Sequence, residues 1–130
     1  MGPLVDTSVL IDYFAGAPTR EADILEQYFQ QGVPPATAPI ILQEFLQGFT
    51  RASDIDMAGL YLSQFDRLPA PGYEAHTQAA SLHRNLRRKG QTIPTVDSLI
   101  VEMARRAGLP LLTADSHQRR LARSAGVDLL

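Results

Sequence analysis

The chain has 130 residues, of which 45% are hydrophobic, 20% charged and 7% aromatic. That balance excludes an intrinsically disordered chain, a collagen-like fibre and a coiled coil, and the length fits one domain over residues 1–130. A net charge of −2 argues against a protein that holds nucleic acid by bulk positive charge alone.

The sequence has no cysteine, so disulfide scaffolds and thiolate metal sites are out, and a reducing cytoplasm is the expected compartment. No apolar run is long enough to span a bilayer, and no membrane association is expected. Asp6 interrupts the apolar start, so neither a secretory leader nor a myristoyl signal is expected there.

Pro3 to Asp6 reads as a short buried strand. Ser8 to Phe14 follows as a short helix, with Thr7 or Ser8 as its cap. Thr19 to Gln31 reads as a second helix, with Ala22, Leu25 and Phe29 on one stripe and Gly32 ending it. Pro34 to Thr37 lies where the alternation wants a strand. Ile40 to Phe49 is a helix with Ile41, Leu42, Phe45, Leu46 and Phe49 inward, and Ser53 to Phe65 is another, capped by Ser53. Asp66 to Leu68 reads as a short strand closed by Pro69 and Pro71. Tyr73 to Arg88 is a long helix ending at Gly90, and Val96 to Ala107 a helix ending at Gly108. Leu111 to Thr113 is a clear strand. Ser116 to Ala125 is the final helix, and Val127 to Leu130 a last strand. Short apolar strands alternating with helices specify an α/β fold with a parallel sheet covered on both faces.

Such sheets bind their ligands at the carboxyl ends of the strands, which directs attention to four acids. Asp6 directly follows one apolar strand, and Asp115 follows another by two residues. Asp97 heads the stripe of Ile100, Val101 and Ala104, and Glu44 flanks an apolar helix face. Taken singly, Asp6 and Asp115 are equally well helix caps, Asp97 a first-turn charge on the helix dipole and Glu44 a solvated border. Taken together, their mutual repulsion would demand a cation. Oxygen donors without cysteine favour Mg²⁺ or Mn²⁺ over zinc, and His76, His83 and His117 show no paired ligand spacing. Carboxylates with such an ion suit phosphodiester hydrolysis. Two divalent ions would also reverse the sign of the net charge.

The sequence resembles a PIN-domain ribonuclease, specifically a VapC-type toxin of a toxin–antitoxin pair. The resemblance runs through Val5-Asp6-Thr7-Ser8-Val9-Leu10-Ile11-Asp12, Gln43-Glu44-Phe45, Gly90 to Ile100 around Asp97, and Leu111-Leu112-Thr113-Ala114-Asp115. It implies a three-layer α/β/α, flavodoxin-like fold with four or five short parallel strands. It implies that Asp6, Glu44, Asp97 and Asp115 are the catalytic, metal-binding acids. Thr7 and Ser8 would support the first acid, and Thr113 would hold the acidic centre by hydrogen bonding. It further implies a homodimer that cleaves RNA, transfer or ribosomal, with Mg²⁺ or Mn²⁺, and a VapB-type antitoxin that blocks the site. The family often has Phe three residues after the last acid; here that residue is Gln118.

The basic residues are eleven arginines and Lys89. Arg84, Arg87 and Arg88 share a helix face, and Arg119, Arg120 and Arg123 follow Asp115. Each group is either a solvated basic turn or an RNA-backbone contact, with Arg84, Arg87, Arg88 and Arg119 the candidates. Tyr13, Phe14, Tyr28, Phe29, Phe49, Leu60 and Tyr61 are core, or in part line an antitoxin groove and a dimer contact. Two other functions stand beside the nuclease. A non-cleaving PIN-like domain would bind RNA or a partner. A receiver-type signalling domain would want paired acids at the first strand end and a late lysine, which Asp6 and Lys89 do not supply.

Overall fold

Four two-residue strands and seven helices alternate along the chain in the computed structural model, which describes residues 1–130. In chain order they are β1 (Leu4–Val5), α1 (Thr7–Phe14), α2 (Arg20–Gln30), β2 (Ala36–Thr37), α3 (Pro39–Gln47) and α4 (Ala52–Leu62). There follow β3 (Asp66–Arg67), α5 (Tyr73–Arg88), α6 (Thr95–Ala107), β4 (Leu111–Leu112) and α7 (Ser116–Ala125). All strand pairs are parallel, in the order β3-β2-β1-β4. Leu4 is in register with both Ala36 and Leu111, and Val5 with Leu112. The expected fifth strand at Val127–Leu130 is reduced to one parallel bridge, Leu111 to Leu129.

The order places a switch point between β1 and β4. From β1 the chain moves outward through β2 and β3, then returns across α5 and α6 to the other side of β1. Adjacent connections therefore leave in opposite directions and open a crevice at the carboxyl ends of β1 and β4.

β1 and β4 are wholly buried, as a parallel sheet covered on two faces requires. Leu4, Val5, Leu111 and Leu112 join Val9, Leu10, Ile41, Phe45, Ile100 and Leu121 in one continuous core. The expected stripe on α6 is buried throughout, with Ile100, Val101 and Ala104 inward. Gly108 ends α6 at φ 66°, a left-handed position that glycine adopts without strain. Gly2 serves close approach instead: a Cβ there would stand 3.1 Å from the Pro34 carbonyl oxygen.

Three local expectations change. The cap of α1 is Asp6 rather than Thr7 or Ser8, because its carboxylate reaches the Ser8 amide. α4 starts at Ala52, so Ser53 lies inside the helix, and Arg51 caps it without a side-chain bond. The aromatic residues mostly serve one another: Tyr13, Phe14, Phe29, Phe45, Phe49, Tyr61 and Phe65 form a chain of edge, tilted and stacked contacts. The large apolar groups left exposed are chiefly aliphatic: Ile11 on α1 and Ile55, Met57 and Leu60 on α4.

Ile100 lies under the helix turn that carries Asp97 and has no solvent exposure. Ile100→Ala is expected to cost about 3 kcal/mol in urea unfolding. A loss well below about 1 kcal/mol would show that α6 does not anchor the core.

Candidate metal centre

The crevice between β1 and β4 is built from short-range caps and long-range hydrogen bonds. Asp6 leaves β1 with extended backbone and caps α1. Its Oδ2 accepts from the Ser8 amide at 3.1 Å, the Ser8 hydroxyl at 2.6 Å and the Thr113 hydroxyl at 3.4 Å. Three donors on one oxygen explain how a carboxylate only 5% exposed is tolerated.

Thr113 follows β4 and works in two directions. Its hydroxyl donates to Asp6 and accepts from the Asp115 amide at 3.1 Å. Asp115 caps α7, with Oδ1 accepting from the amides of His117 and Gln118. The cap reading of both acids holds, and the bonds that start the helices also orient the carboxylates.

Glu44, half-buried on α3, accepts from the Thr7 hydroxyl at 2.9 Å. Thr7 thus supports Glu44, while Ser8 supports Asp6. Asp97, in the first turn of α6, meets the others through its environment. Burial pushes its pKa up; the Gln118 hydrogen bond pulls it down; the charges of Asp115, Asp6 and Glu44 push it up further. The other three acids that the sequence singles out thus all act on Asp97.

One participant was not among the expected site residues. The Gln118 Nε2 donates to Asp6 Oδ1 at 2.8 Å and to Asp97 Oδ1 at 3.0 Å, joining the two acids. The sequence offers a faint signal, since Gln three residues after a capping Asp suggests a reciprocal cap on the Asp115 amide. That amide is already held by Thr113, so the Gln118 side chain turns to the acids instead.

No three Asp, Glu or His side chains close on a common point in this arrangement. Yet the donor set is carboxylate oxygen with hydroxyl support, the chemistry of Mg²⁺ and Mn²⁺. The partial positive charge of one amide already sits between two of the carboxylates. The chemistry of these oxygen donors therefore suits a hard divalent cation.

The basic residues divide. Arg119 is engaged within the molecule: its Nε donates to the Thr113 carbonyl and its Nη2 to Glu21. It braces the strand end that carries Thr113. Arg84, Arg87 and Arg88 are exposed on α5, and Arg84 and Arg87 line a cavity of about 550 Å³ with His76, His83 and Ser98.

The profile of the PIN domain matches residues 4–124. The chain belongs to the PIN-domain family. Its α/β/α layering and parallel sheet are those of PIN domains, and the receiver-type alternative falls with that membership. A chain of the VapBC2 complex from Rickettsia felis, bound to a DNA fragment from its promoter, shares the fold at TM-score 0.79 and 19% identity, covering 100% of this chain and 98% of that one. VapBC-1 from nontypeable Haemophilus influenzae matches at TM-score 0.78 and 16% identity, over 100% and 97% of the two chains. A toxin–antitoxin complex from Klebsiella pneumoniae matches at TM-score 0.69 and 23% identity, over 88% of each. Among curated proteins, none matches this PIN domain in sequence.

The raised pKa of Asp97 sets a pH dependence. The folded PIN domain holds this proton more tightly than the unfolded chain does. Without metal, stability therefore falls as pH rises from the ordinary carboxylate value of 3.8 through the raised one. Asp97→Asn removes the charge and keeps an acceptor for Gln118. In chelator at about pH 7 its Tm is expected to rise by about 3 °C. The gain should vanish below the ordinary carboxylate value. A lower Tm near neutral pH would show instead that the charge stabilises the fold.

Proposed function

We propose that this PIN domain is the metal-dependent endoribonuclease of a VapBC-type toxin–antitoxin pair. The observation that carries the reading is the pair Asp6 and Asp97, bridged by one amide at the crevice between β1 and β4, with Asp115 and Glu44 close enough to act on Asp97. Three acids from other elements raise the energy of ionised Asp97, an arrangement whose benefit is cation binding.

A bound Mg²⁺ or Mn²⁺ would supply an activated water and neutralise charge on the scissile phosphate. The chain's own residues prepare that place. Ser8 and Thr113 fix the orientation of Asp6, Thr7 fixes Glu44, and the α7 cap fixes Asp115. Arg84 and Arg87, beside the turn that bears Asp97, suit the backbone of an incoming RNA strand. Arg88 extends that basic face, whereas Arg119 acts by bracing Thr113. No helix is long and apolar enough to cross a membrane, and a cytoplasmic setting suits both RNA and a cysteine-free chain.

The partners in this reading are a second copy of the chain and a VapB-type antitoxin. Support comes from the toxin–antitoxin complexes that share the fold and from the exposed Ile11, Met57 and Leu60, the last 71% exposed. A second reading, a PIN domain that binds RNA without cutting, draws on the amide of Gln118 between Asp6 and Asp97.

Cleavage of total transfer and ribosomal RNA separates the two. Antitoxin-free wild type is expected to cut with Mg²⁺ or Mn²⁺ and not with chelator, and Asp6→Asn to cut at least about 100-fold more slowly. Metal-independent cutting, or folded protein that binds RNA with neither metal supporting cleavage, would overturn the nuclease reading. For the assembly, the chain alone should elute as a dimer, and a double Met57→Glu, Leu60→Glu variant as a folded monomer. A wild type that stays monomeric at high concentration would remove the dimer from the proposal.

A further inference from the structure

Gln118 is 1% exposed and sits in the first turn of α7, with its own amide fixed on Asp115 Oδ1. Its side-chain Nε2 makes two hydrogen bonds, one to Asp6 Oδ1 and one to Asp97 Oδ1. Its Oε1 is buried without a partner. A buried unpaired acceptor is unfavourable, so the amide is not held by its oxygen. Only the NH₂ end can face two carboxylates, and that interaction fixes how the group is turned.

The two oxygens it occupies are the ones that matter. Asp6 Oδ2 already receives three donors, from Ser8 twice and from Thr113. An ion approaching Asp6 without dismantling that set must come to Oδ1, where Gln118 sits. The same amide holds Oδ1 of Asp97. A neutral dipole here does with partial charge what a cation does with full charge: it separates and satisfies two anions.

We propose that the carboxamide of Gln118 is an internal counter-cation, which holds Asp6 and Asp97 in the metal-free protein and gives up their Oδ1 atoms when a divalent ion binds. The proposal rests on reading the four acids as a divalent-ion centre. It makes Gln118 a positioning residue that competes with the ion. The centre stays assembled without metal, and its affinity is lowered by the two hydrogen bonds the ion must replace.

Calorimetric titration with Mn²⁺ tests this on wild type, Gln118→Met and Asp97→Asn. Methionine keeps the length of the side chain and removes the donor. In chelator, Gln118→Met should melt below wild type, because buried Asp6 and half-buried Asp97 lose their shared donor. It should then bind Mn²⁺ about tenfold more tightly, since the competitor is gone. Asp97→Asn should bind more weakly than either. Equal or weaker Mn²⁺ binding by Gln118→Met overturns the proposal while leaving the metal centre standing. Folded wild type that takes up neither Mn²⁺ nor Mg²⁺ overturns the centre and the proposal with it. If Gln118→Met does not fold, the side-chain amide protons of Gln118 give the answer in wild type by NMR. They should be protected from exchange in chelator, then shift and lose protection as Mg²⁺ saturates. Resonances unmoved by saturating Mg²⁺ would show that the amide is not displaced.

Discussion

A carboxylate buried in a protein is stable only where donors meet its oxygens. The way Asp6 satisfies that condition organises much of this PIN domain. Its donors come from α1, from the residue after β4 and from α7. One side chain therefore joins the first strand's exit to the last strand and the last helix, across 107 and 112 residues of sequence. The pairing of Val5 with Leu112 makes this reliable, because it delivers Asp6 and Thr113 side by side through sheet register rather than through a flexible loop. The apolar burial of β1 and β4 thus sets the geometry of the polar crevice at their ends.

The crevice is held against its own electrostatics. Burial and three acidic neighbours make ionised Asp97 unfavourable, and a single amide hydrogen bond works the other way. What keeps Asp97 in place is the helix beneath it, where Ile100, Val101 and Ala104 are buried. The farther end of α6 has its own solution to a buried charge. Glu102 is inaccessible to solvent and is satisfied by Arg105 at 2.7 Å and Arg106 at 3.1 Å. One helix thus carries two acids handled in opposite ways. Glu102 has its counter-charges built in, whereas Asp97 has only a partial one, so Asp97 is the acid left with an unmet demand for positive charge.

The parts of the fold that were legible in the sequence are those governed by neighbours along the chain. Tyr73 to Arg88 reads correctly as a helix because Pro71 and Gly90 punctuate it and apolar spacing fills it. The strands could be placed but not bounded, since two buried residues each carry too little alternation. The cap of α1 lies one residue before the expected Thr7 or Ser8 because all three residues are good caps, and the Ser8 amide bond to the Asp6 carboxylate decides among them. Aromatic composition suggested surplus rings for a partner surface. Most of the rings pack on one another instead, and apart from Tyr73 the exposed large apolar groups are aliphatic.

By itself the sequence singled out the four acids, the strand ends that carry two of them and the α/β alternation. Each follows from residue type and local spacing, which act within a few residues. The tertiary structure decided how those acids meet. Glu44 is tied to Thr7 across 37 positions, Arg119 is diverted to Glu21 across 98, and Gln118 is placed between Asp6 and Asp97. Nothing near Gln118 in sequence predicts that last role. Its partners are set by sheet order and helix packing, and a hydrogen bond depends on position in space, which local pattern does not encode.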